Sequence, residues 1–281
     1  MPETTVPEIQ RSNLVSVILR LKALGVDNVL QFDYLSRPPA QLFMRGLEFL
    51  YAMKALDRNC NLSDDYGKKM AEIPLRPVYV KMLIDSKIYQ CSDEIVTVIA
   101  MLSVKNIQSF PPNQRLKAQR EQQKFAVEQG DLITLLNVYD SFVNEGNSTK
   151  TWCSNHYYSY SRMLDVVKTR RHLYRLLEKL GVPVTSCKND VNKLLKCLAS
   201  GFFTNAANLQ LDGSYCGVVN GKSLAIHPSS VLVYQQRQPQ WVLYTEVVRT
   251  SKLFMKNVTV IESSMLEEVA PHFFDTAARL D

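Results

Sequence analysis

The chain has 281 residues and a mild excess of cations, with 33 lysines and arginines against 27 acidic residues. This length suffices for two or three domains, each with its own core, but a net charge of +6 is too small to indicate a polyanion partner by itself. The N-terminal residues lack the apolar core of a signal peptide, and no window approaches eighteen consecutive apolar residues. The composition therefore predicts a soluble intracellular protein with no membrane partner.

Residues 12–77 are predicted to form a small helical domain. Residues 1–11 before it are polar, contain two prolines and are interpreted as a linker. Ser12 is the predicted cap of a first helix, which ends at Gly25. A second helix has its apolar stripe at Phe43, Leu47, Leu50 and Tyr51. Two helices followed by short extended segments favour a winged helix.

Residues 78–190 show apolar residues at the i, i+3, i+4, i+7 spacing of helices almost throughout, which predicts a helical bundle. The segment 114–124 is polar nearly all round, so we expect it on the outside of this bundle. A long helix over 163–180 carries an apolar stripe with a basic face opposite. The stripe is Val166, Leu173, Leu177 and Leu180, and the basic face is Lys168, Arg171, Arg175 and Lys179.

Residues 191–281 are predicted to contain a helix ending at Gly201 and then a small β-barrel. Short β-branched and aromatic runs alternate with turns such as Asp212-Gly213 and Asn220-Gly221. This pattern predicts an antiparallel sheet of about five strands. A small barrel behind a helical body is typical of proteins that handle nucleic acids, because an open barrel leaves a face and loops free to hold a strand.

No catalytic or cofactor site is predicted. Gly221-Lys222-Ser223 resembles the end of a phosphate-binding loop, but Cys216 stands where that loop needs a glycine, and no helix follows. A hairpin turn is the better interpretation. The six cysteines show no C-x-x-C spacing and there are only four histidines, so we expect reduced thiols and no zinc site.

The region 150–180 has two open interpretations. It holds seven lysines and arginines with two acidic residues, alongside one tryptophan and four tyrosines. Cations can neutralise phosphates and aromatic faces can stack on bases, which favours a nucleic-acid surface. Charged residues opposite an apolar stripe can equally form a plain solvated helix face.

Over nearly its whole length the chain resembles the C-terminal half of the DEAH-box RNA helicases, which act in splicing and ribosome assembly. The segments that carry the resemblance are TVPEIQRSNL at 5–14, RPPAQLFMRGLEFLYAMKALD at 37–57, KKMAEIPLRPVYVKMLIDS at 68–86, CSDEIVTVIAMLSVKNI at 91–107, KFAVEQGDLITLLNVY at 124–139, TWCSNHYY at 151–158, SGFFTNAA at 200–207, IHPSS at 226–230 and VLYTEVVRTSKLFMKNVTVIE at 242–262. PPNQ at 111–114 and APHFF at 270–274 are similar to the DEAH-box helicase 35 subgroup.

The resemblance implies an α+β multidomain fold: a winged helix, an all-α ratchet bundle and a C-terminal OB-fold β-barrel. In the family these domains cap two RecA-like motor domains that use ATP and Mg²⁺, and single-stranded RNA runs between cap and motor. The 281 residues contain neither a Walker A loop nor a DEAH sequence, so we expect no cofactor and no hydrolysis in this chain alone. The family also implies a nuclear, ribonucleoprotein-bound role of the pre-mRNA splicing type.

RNA contacts are expected in the bundle and around the barrel, without base-sequence readout. The candidates are Asn106, Arg162, Lys168, Arg170, Arg171, Arg175, Tyr215, His227, Ser229, Ser230 and Lys252. Three departures from the family pattern each remove a polar or cationic contact: a histidine is replaced by Leu132, a basic residue is replaced by Ser161, and the family's YRT reads Tyr215-Cys216-Gly217, which loses an arginine. The grip on RNA is therefore expected to be weaker than in relatives.

The alternative function is a protein-interaction module. In the family, activators of the glycine-patch type lay an amphipathic helix on the winged helix. Leu42, Phe43 and Leu50 are the candidate contacts here, although packing in the core is the better interpretation of each.

Overall fold

The computed structural model describes residues 14–145 and 147–277, with the side chains of 275–277 excepted. The predicted linker 1–11 and the cap Ser12 lie outside the described residues. The chain divides into two compact units, Met1–Ile84 and Asp85–Asp281. Among the described residues, none of the helices combines the length and the apolar character needed to span a lipid bilayer.

The first unit is built on α1 (Val15–Ala23), α2 (Ala40–Ala52) and α3 (Gly67–Glu72), and its boundary falls within α4 (Pro77–Tyr89). Gly25 follows α1 with a φ of 84°, a left-handed conformation that suits glycine and ends the helix as predicted. A single antiparallel bridge joins Leu56 to Leu62. The core includes Ile18, Phe43, Leu50, Met53 and Met70.

The second unit begins with a helical bundle. Its helices are α5 (Ser92–Ser103), α6 (Arg115–Gln122), α7 (Asp131–Asn144), α8 (Lys150–Asn155), α9 (Tyr160–Lys179) and α10 (Val191–Phe202). The α5 helix packs against both α7 and α9, which is why it is buried along most of its length. The α6 helix lies outside as predicted, since Ala118 is its one fully buried residue.

Seven short strands form the sheet that follows. They are β1 (Ala206–Leu209), β2 (Tyr215–Gly217), β3 (Ser223–Ile226), β4 (Trp241–Leu243), β5 (Glu246–Arg249), β6 (Leu253–Lys256) and β7 (Thr259–Val260), in the order β5-β6-β3-β2-β1-β4-β7. The barrel core includes Ala207, Tyr215, Leu224, Leu232, Val242, Tyr244, Met255 and Val258. Two helices, α11 (Ser263–Val269) and α12 (Pro271–Ala277), end the described chain.

Three details of the barrel differ from the sequence prediction. There are seven strands instead of about five, and β3 and β6 run parallel to each other. Turn residues predict pairing only between strands that follow one another in the sequence. They could not predict the pairing of β3 with β6, because β4 and β5 come between these two strands in the chain. Gly201 lies inside α10, which continues to Phe202 before the strands begin. Gly221 and Lys222 lie in the turn between β2 and β3, as predicted, and Ser223 is the first residue of β3.

The bundle and the barrel are joined at Gly130 and Asp131. Gly130 has a φ of 102°, and a Cβ on it would lie 2.4 Å from the carbonyl oxygen of Val258, so only glycine fits. The Asp131 N–H donates to that same carbonyl at 2.7 Å. Its carboxylate accepts from the backbone N–H groups of Val231 at 2.8 Å and Val258 at 2.7 Å. This joint fixes the barrel against the start of α7.

Candidate nucleic-acid interface

A groove of about 760 Å³ lies between the bundle and the barrel. One wall is the strap, which we define as residues 104–125 and which includes α6. The floor comes from α7 through Thr134, Leu135 and Val138, and the far wall comes from barrel residues around Ser229 and Lys256. The Gly130–Asp131 joint lies below, so the two walls are held at a fixed separation.

The strap is held to the bundle by two main-chain bonds near its first residues and by a side-chain bond at Gln114. The Ser109 N–H donates to the Tyr157 carbonyl at 2.8 Å, and the Ser159 N–H donates to the Ile107 carbonyl at 2.8 Å. The Tyr157 hydroxyl also donates to the Gln114 amide oxygen at 3.0 Å. Asn106, which lines the groove, has a φ of 56°, a left-handed conformation that asparagine adopts more readily than most residues. These bonds position the polar side chains of the strap over the groove.

On the barrel wall, the turn after β3 is organised by His227. The Ser229 N–H donates to His227 Nδ1 at 3.1 Å, and the His227 N–H donates to the Met255 carbonyl at 3.0 Å. Burial, together with the nearby positive charge of Lys256, lowers the pKa of His227 below its usual value. The ring therefore accepts a backbone N–H at a barrel corner, and the predicted contact of His227 with RNA stays a prediction.

Aromatic rings are present on both sides of the groove. Phe110 of the strap and Tyr234 of the barrel line it, and Tyr234 is 58% exposed. Tyr158 lies beneath and stacks on Trp152 with ring centres 5.7 Å apart. Rings at the surface of a polar groove can stack on unpaired bases.

The structure brings some of the predicted barrel and strap residues together. Asn106 and Ser229 line the groove, and His227 contacts Ser229 from behind. Ser230 is buried, and its hydroxyl accepts from the Leu232 N–H at 3.3 Å. Lys252 is exposed between β5 and β6 and does not line the groove.

The basic face of α9 forms a separate surface. Lys168, Arg171 and Arg175 are exposed and lie at the i, i+3, i+7 spacing of one helix face. Arg162, nearly two turns before Lys168, is 3.5 Å from Asp165, and Lys168 is 3.8 Å from the same carboxylate. None of these side chains lines the groove.

Arg170 is held inside the bundle. Its Nη2 donates to Asp93 at 2.7 Å and its Nε donates to the Thr97 hydroxyl at 2.8 Å. The guanidinium lies over the rings of Tyr139 and Tyr174, and Tyr174 also hydrogen-bonds Asp93. The structure therefore gives Arg170 a packing role between α5 and α9.

Three further candidates are core residues. Tyr215 is 1% exposed and its hydroxyl donates to the Pro239 carbonyl at 2.8 Å. In the first unit Phe43 and Leu50 are buried, whereas Leu42 is half-buried. None of the three fully buried side chains is accessible to a ligand in this structure.

Several lining residues were not singled out from the sequence. They are Gln108, Arg115, Gln119 and Gln123 of the strap. The signal that could have found the last three is the polar character of 114–124 on every side, because a helix with no apolar face has polar groups left for a ligand. The described residues hold no group of three or more His, Cys, Asp or Glu side chains suited to a metal ion.

Three family models match consecutive parts of the chain. Residues 46–75 match the winged-helix part of the helicase associated domain (HA2), and residues 76–135 match its ratchet-like part. Residues 194–273 match the oligonucleotide/oligosaccharide-binding (OB)-fold. The groove is lined by residues from the regions matched by the last two models.

Whole-chain comparison finds RNA helicases. The human probable ATP-dependent RNA helicase DHX35 is 46% identical over 280 residues, which is 100% of this chain and 40% of the relative. The pre-mRNA-splicing factor ATP-dependent RNA helicase DEAH10 of Arabidopsis thaliana is 38% identical, covering 99% of this chain and 40% of the relative. Its counterpart named prp22 in Schizosaccharomyces pombe is 39% identical, covering 99% of this chain and 24% of the relative.

The chain thus spans about 40% of the length of the first of these relatives. The order of its domains, the groove between the last two and the identity along its whole length point to one family. The chain corresponds to the C-terminal region of the DEAH-box ATP-dependent RNA helicases and carries the winged helix, the ratchet-like domain and the OB-fold of that region, with DHX35 among its relatives.

Proposed function

We infer that this chain is the RNA-guiding and regulatory cap of a DEAH-box motor. The groove between the ratchet-like bundle and the OB-fold holds a few nucleotides of single-stranded RNA while motor domains open and close on ATP. ATP and Mg²⁺ belong to those motor domains, and no cofactor is assigned to the 281 residues. Hydrolysis is assigned to the motor domains alone.

The observation that carries this proposal is the composition of the groove. Polar and aromatic side chains line it from two domains, and the joint at Asp131 holds those domains in one arrangement. A fixed polar channel with surface rings suits an unpaired strand, because the rings can stack on bases that have no pairing partner. The basic face of α9 offers a second, purely electrostatic contact to phosphates.

The names of the relatives support a place in a ribonucleoprotein. Two of them are named pre-mRNA-splicing factors. We extend this to the present chain as part of the proposal: a nuclear helicase of the splicing type, with spliceosomal RNA as its ligand.

A salt titration tests RNA binding and locates it. The intact chain is titrated with fluorescein-labelled oligouridylate, and the slope of the logarithm of the binding constant against the logarithm of the salt concentration is measured. We expect the double variant Arg115→Ala/Lys256→Ala to reduce this slope by about 1.4, because each lost phosphate contact to a single strand is worth about 0.7. Lys188→Ala/Lys222→Ala, with both cations exposed and outside the groove, is the matched control.

The triple variant Lys168→Ala/Arg171→Ala/Arg175→Ala examines the α9 face separately. A reduced slope places phosphates on that face, and an unchanged slope removes it from the proposal. If the groove double variant binds as the unsubstituted chain does, the groove is not the RNA site.

One observation favours a protein-interaction role for the first unit. Met44 and Tyr51 lie seven residues apart on α2, and each is 48% exposed. An amphipathic helix of the glycine-patch type could contact them. Calorimetric titration with such a peptide is expected to show binding that Met44→Glu/Tyr51→Glu abolishes while RNA binding persists. Equal peptide binding by the two forms would exclude this surface.

A further inference from the structure

Tyr157 occupies a position after a helix where glycine is the usual residue. It is the second residue after α8 and has a φ of 60°, and the N–H of Tyr158 donates to the Cys153 carbonyl at 2.9 Å. This pattern ends many helices, and its left-handed residue is most often glycine, because a Cβ is unfavourable in that conformation. A bulky aromatic residue there costs conformational energy. The end of α8 by itself therefore gives no reason for a tyrosine.

Three hydrogen bonds join Tyr157 to separate parts of the strap. Its carbonyl accepts from the Ser109 N–H at 2.8 Å and from Gln122 Nε2 at 3.4 Å. Its hydroxyl donates to Gln114 Oε1 at 3.0 Å. Glycine would keep both carbonyl bonds, so the hydroxyl bond is the one that requires the tyrosine side chain. The strap is thus bonded near its start, its middle and its end to one half-buried residue of the bundle.

The hydroxyl bond acts next to a cation of the groove. Gln114 is followed directly by Arg115, which is the first residue of α6 and lines the groove. Tyr157 itself is not among the lining residues. A bond that fixes Gln114 also fixes the start of α6, and with it the point from which the Arg115 side chain extends. Tyr157 can therefore affect a ligand of the groove without contacting it.

We propose that Tyr157 is a positioning residue for RNA binding, whose hydroxyl, through Gln114, holds Arg115 where it meets a phosphate of the strand in the groove. This inference rests on the proposed binding of RNA in that groove. It accounts for the tyrosine after α8, because the hydroxyl bond offsets the cost of a left-handed aromatic residue and glycine could not supply it. The carbonyl bonds hold the main chain of the strap, and the hydroxyl bond places its cation.

The test measures the affinity of the intact chain for fluorescein-labelled oligouridylate, by fluorescence anisotropy at one low salt concentration. We expect Tyr157→Phe to weaken binding about two- to tenfold, the range for losing one neutral hydrogen bond. Gln114→Leu, which removes the acceptor of the same bond, should give a similar loss. Tyr160→Phe is the matched control, because Tyr160 is a half-buried tyrosine at the first residue of α9 and does not line the groove.

A double-mutant cycle separates positioning from a general loss of structure. In the Arg115→Ala background, Tyr157→Phe should have no further effect on RNA affinity, because the cation that it positions is gone. An equal loss in both backgrounds overturns the positioning role, and so does unchanged binding by Tyr157→Phe and Gln114→Leu. In each of these cases RNA binding by the unsubstituted chain remains. Absence of binding by every form, the unsubstituted chain included, overturns the proposed function as well.

Discussion

Asp131 illustrates how much a single side chain contributes to this molecule. Both carboxylate oxygens accept backbone N–H groups of the barrel, at Val231 and Val258, although the residue begins a helix of the bundle. Burial raises the pKa of Asp131, and the hydrogen bonds from Val231, Ser230 and Val258 oppose that rise. An acceptor with this geometry is hard to replace, because its loss leaves backbone N–H groups in a confined space without a partner.

Asp131→Asn is expected to destabilise the chain by about 2 kcal/mol, since one charged acceptor becomes a donor that faces a backbone N–H. The measurement is the free energy of unfolding in urea. Asp65→Asn, at an exposed position, should change it by less than about 0.5 kcal/mol. Equal stability of the two variants would show that the joint does not hold the barrel.

The lowered pKa of His227 predicts the direction in which the unfolding free energy of the chain changes with pH. Its pKa is lowered in the folded state by burial and then by Lys256, so the unfolded chain takes up a proton more readily. The stability that neutral His227 contributes is complete above about pH 6.5, the usual value for histidine, and is lost as the pH falls through the lowered value.

We therefore expect the difference in unfolding free energy between the unsubstituted chain and His227→Asn to shrink from about pH 7.5 to about pH 5.5, a range that brackets the usual histidine pKa. Urea unfolding at several pH values measures it. His172→Asn, at an exposed position of α9, corrects for the loss of one histidine. A difference that grows toward acid would contradict the sign.

At the scale of elements, the contact between α5 and α9 depends on a cation enclosed by rings. Arg170 joins Asp93 and Thr97 of α5 and lies over Tyr139 and Tyr174. The pKa of Tyr174 is raised, first by burial and then by its bond to Asp93, so this hydroxyl stays a donor. The basic residues of α9 thus divide into one structural arginine and an exposed face.

Substitutions at Arg170 and Arg171, which are adjacent on α9, separate the structural role of the first from the exposed position of the second. Arg170→Ala should lower the unfolding free energy by about 1.5–3 kcal/mol, the usual cost of losing charged hydrogen bonds. Arg170→Lys should recover little of it, because lysine cannot donate in two directions from a planar group. Arg171→Ala, next to it and exposed, should leave stability within about 0.5 kcal/mol, as measured by urea unfolding. Similar losses for both alanine variants would remove the structural role.

At the scale of the whole molecule, bundle and barrel belong to one compact unit, Asp85–Asp281. The groove forms where the bundle meets the barrel, because each of them supplies one of its walls. The predicted domain limits of 12–77, 78–190 and 191–281 stay predictions, since contact between bundle and barrel does not itself fix where each domain would fold alone.

The purified chain is expected to hydrolyse ATP at background rate with or without RNA. The 281 residues contain no Walker A loop to hold phosphates and no DEAH sequence to hold Mg²⁺. Phosphate release is the measurement, and a mock purification from cells lacking the gene sets the background. ATP turnover above that level, if it persists through repeated purification of the chain, would contradict the assignment of catalysis to separate motor domains.

Helical spacing and turn residues were enough to predict the bundle, the sheet after it and the outer position of α6. These signals are local: an apolar period or an Asn-Gly turn depends on residues a few positions apart. The family resemblance was also carried by the sequence and is confirmed by the comparisons.

The tertiary structure alone decided which polar residues share a surface. Arg170 and Arg171 are neighbours in sequence, yet one is enclosed by α5 and the other is exposed. Tyr215 entered the barrel core, whereas Gln119 and Ser229, 110 positions apart, line the same groove. The parallel pairing of β3 with β6 likewise joins residues far apart in the chain. Such contacts depend on how complete elements pack, and a local pattern carries no information about a partner a hundred residues away.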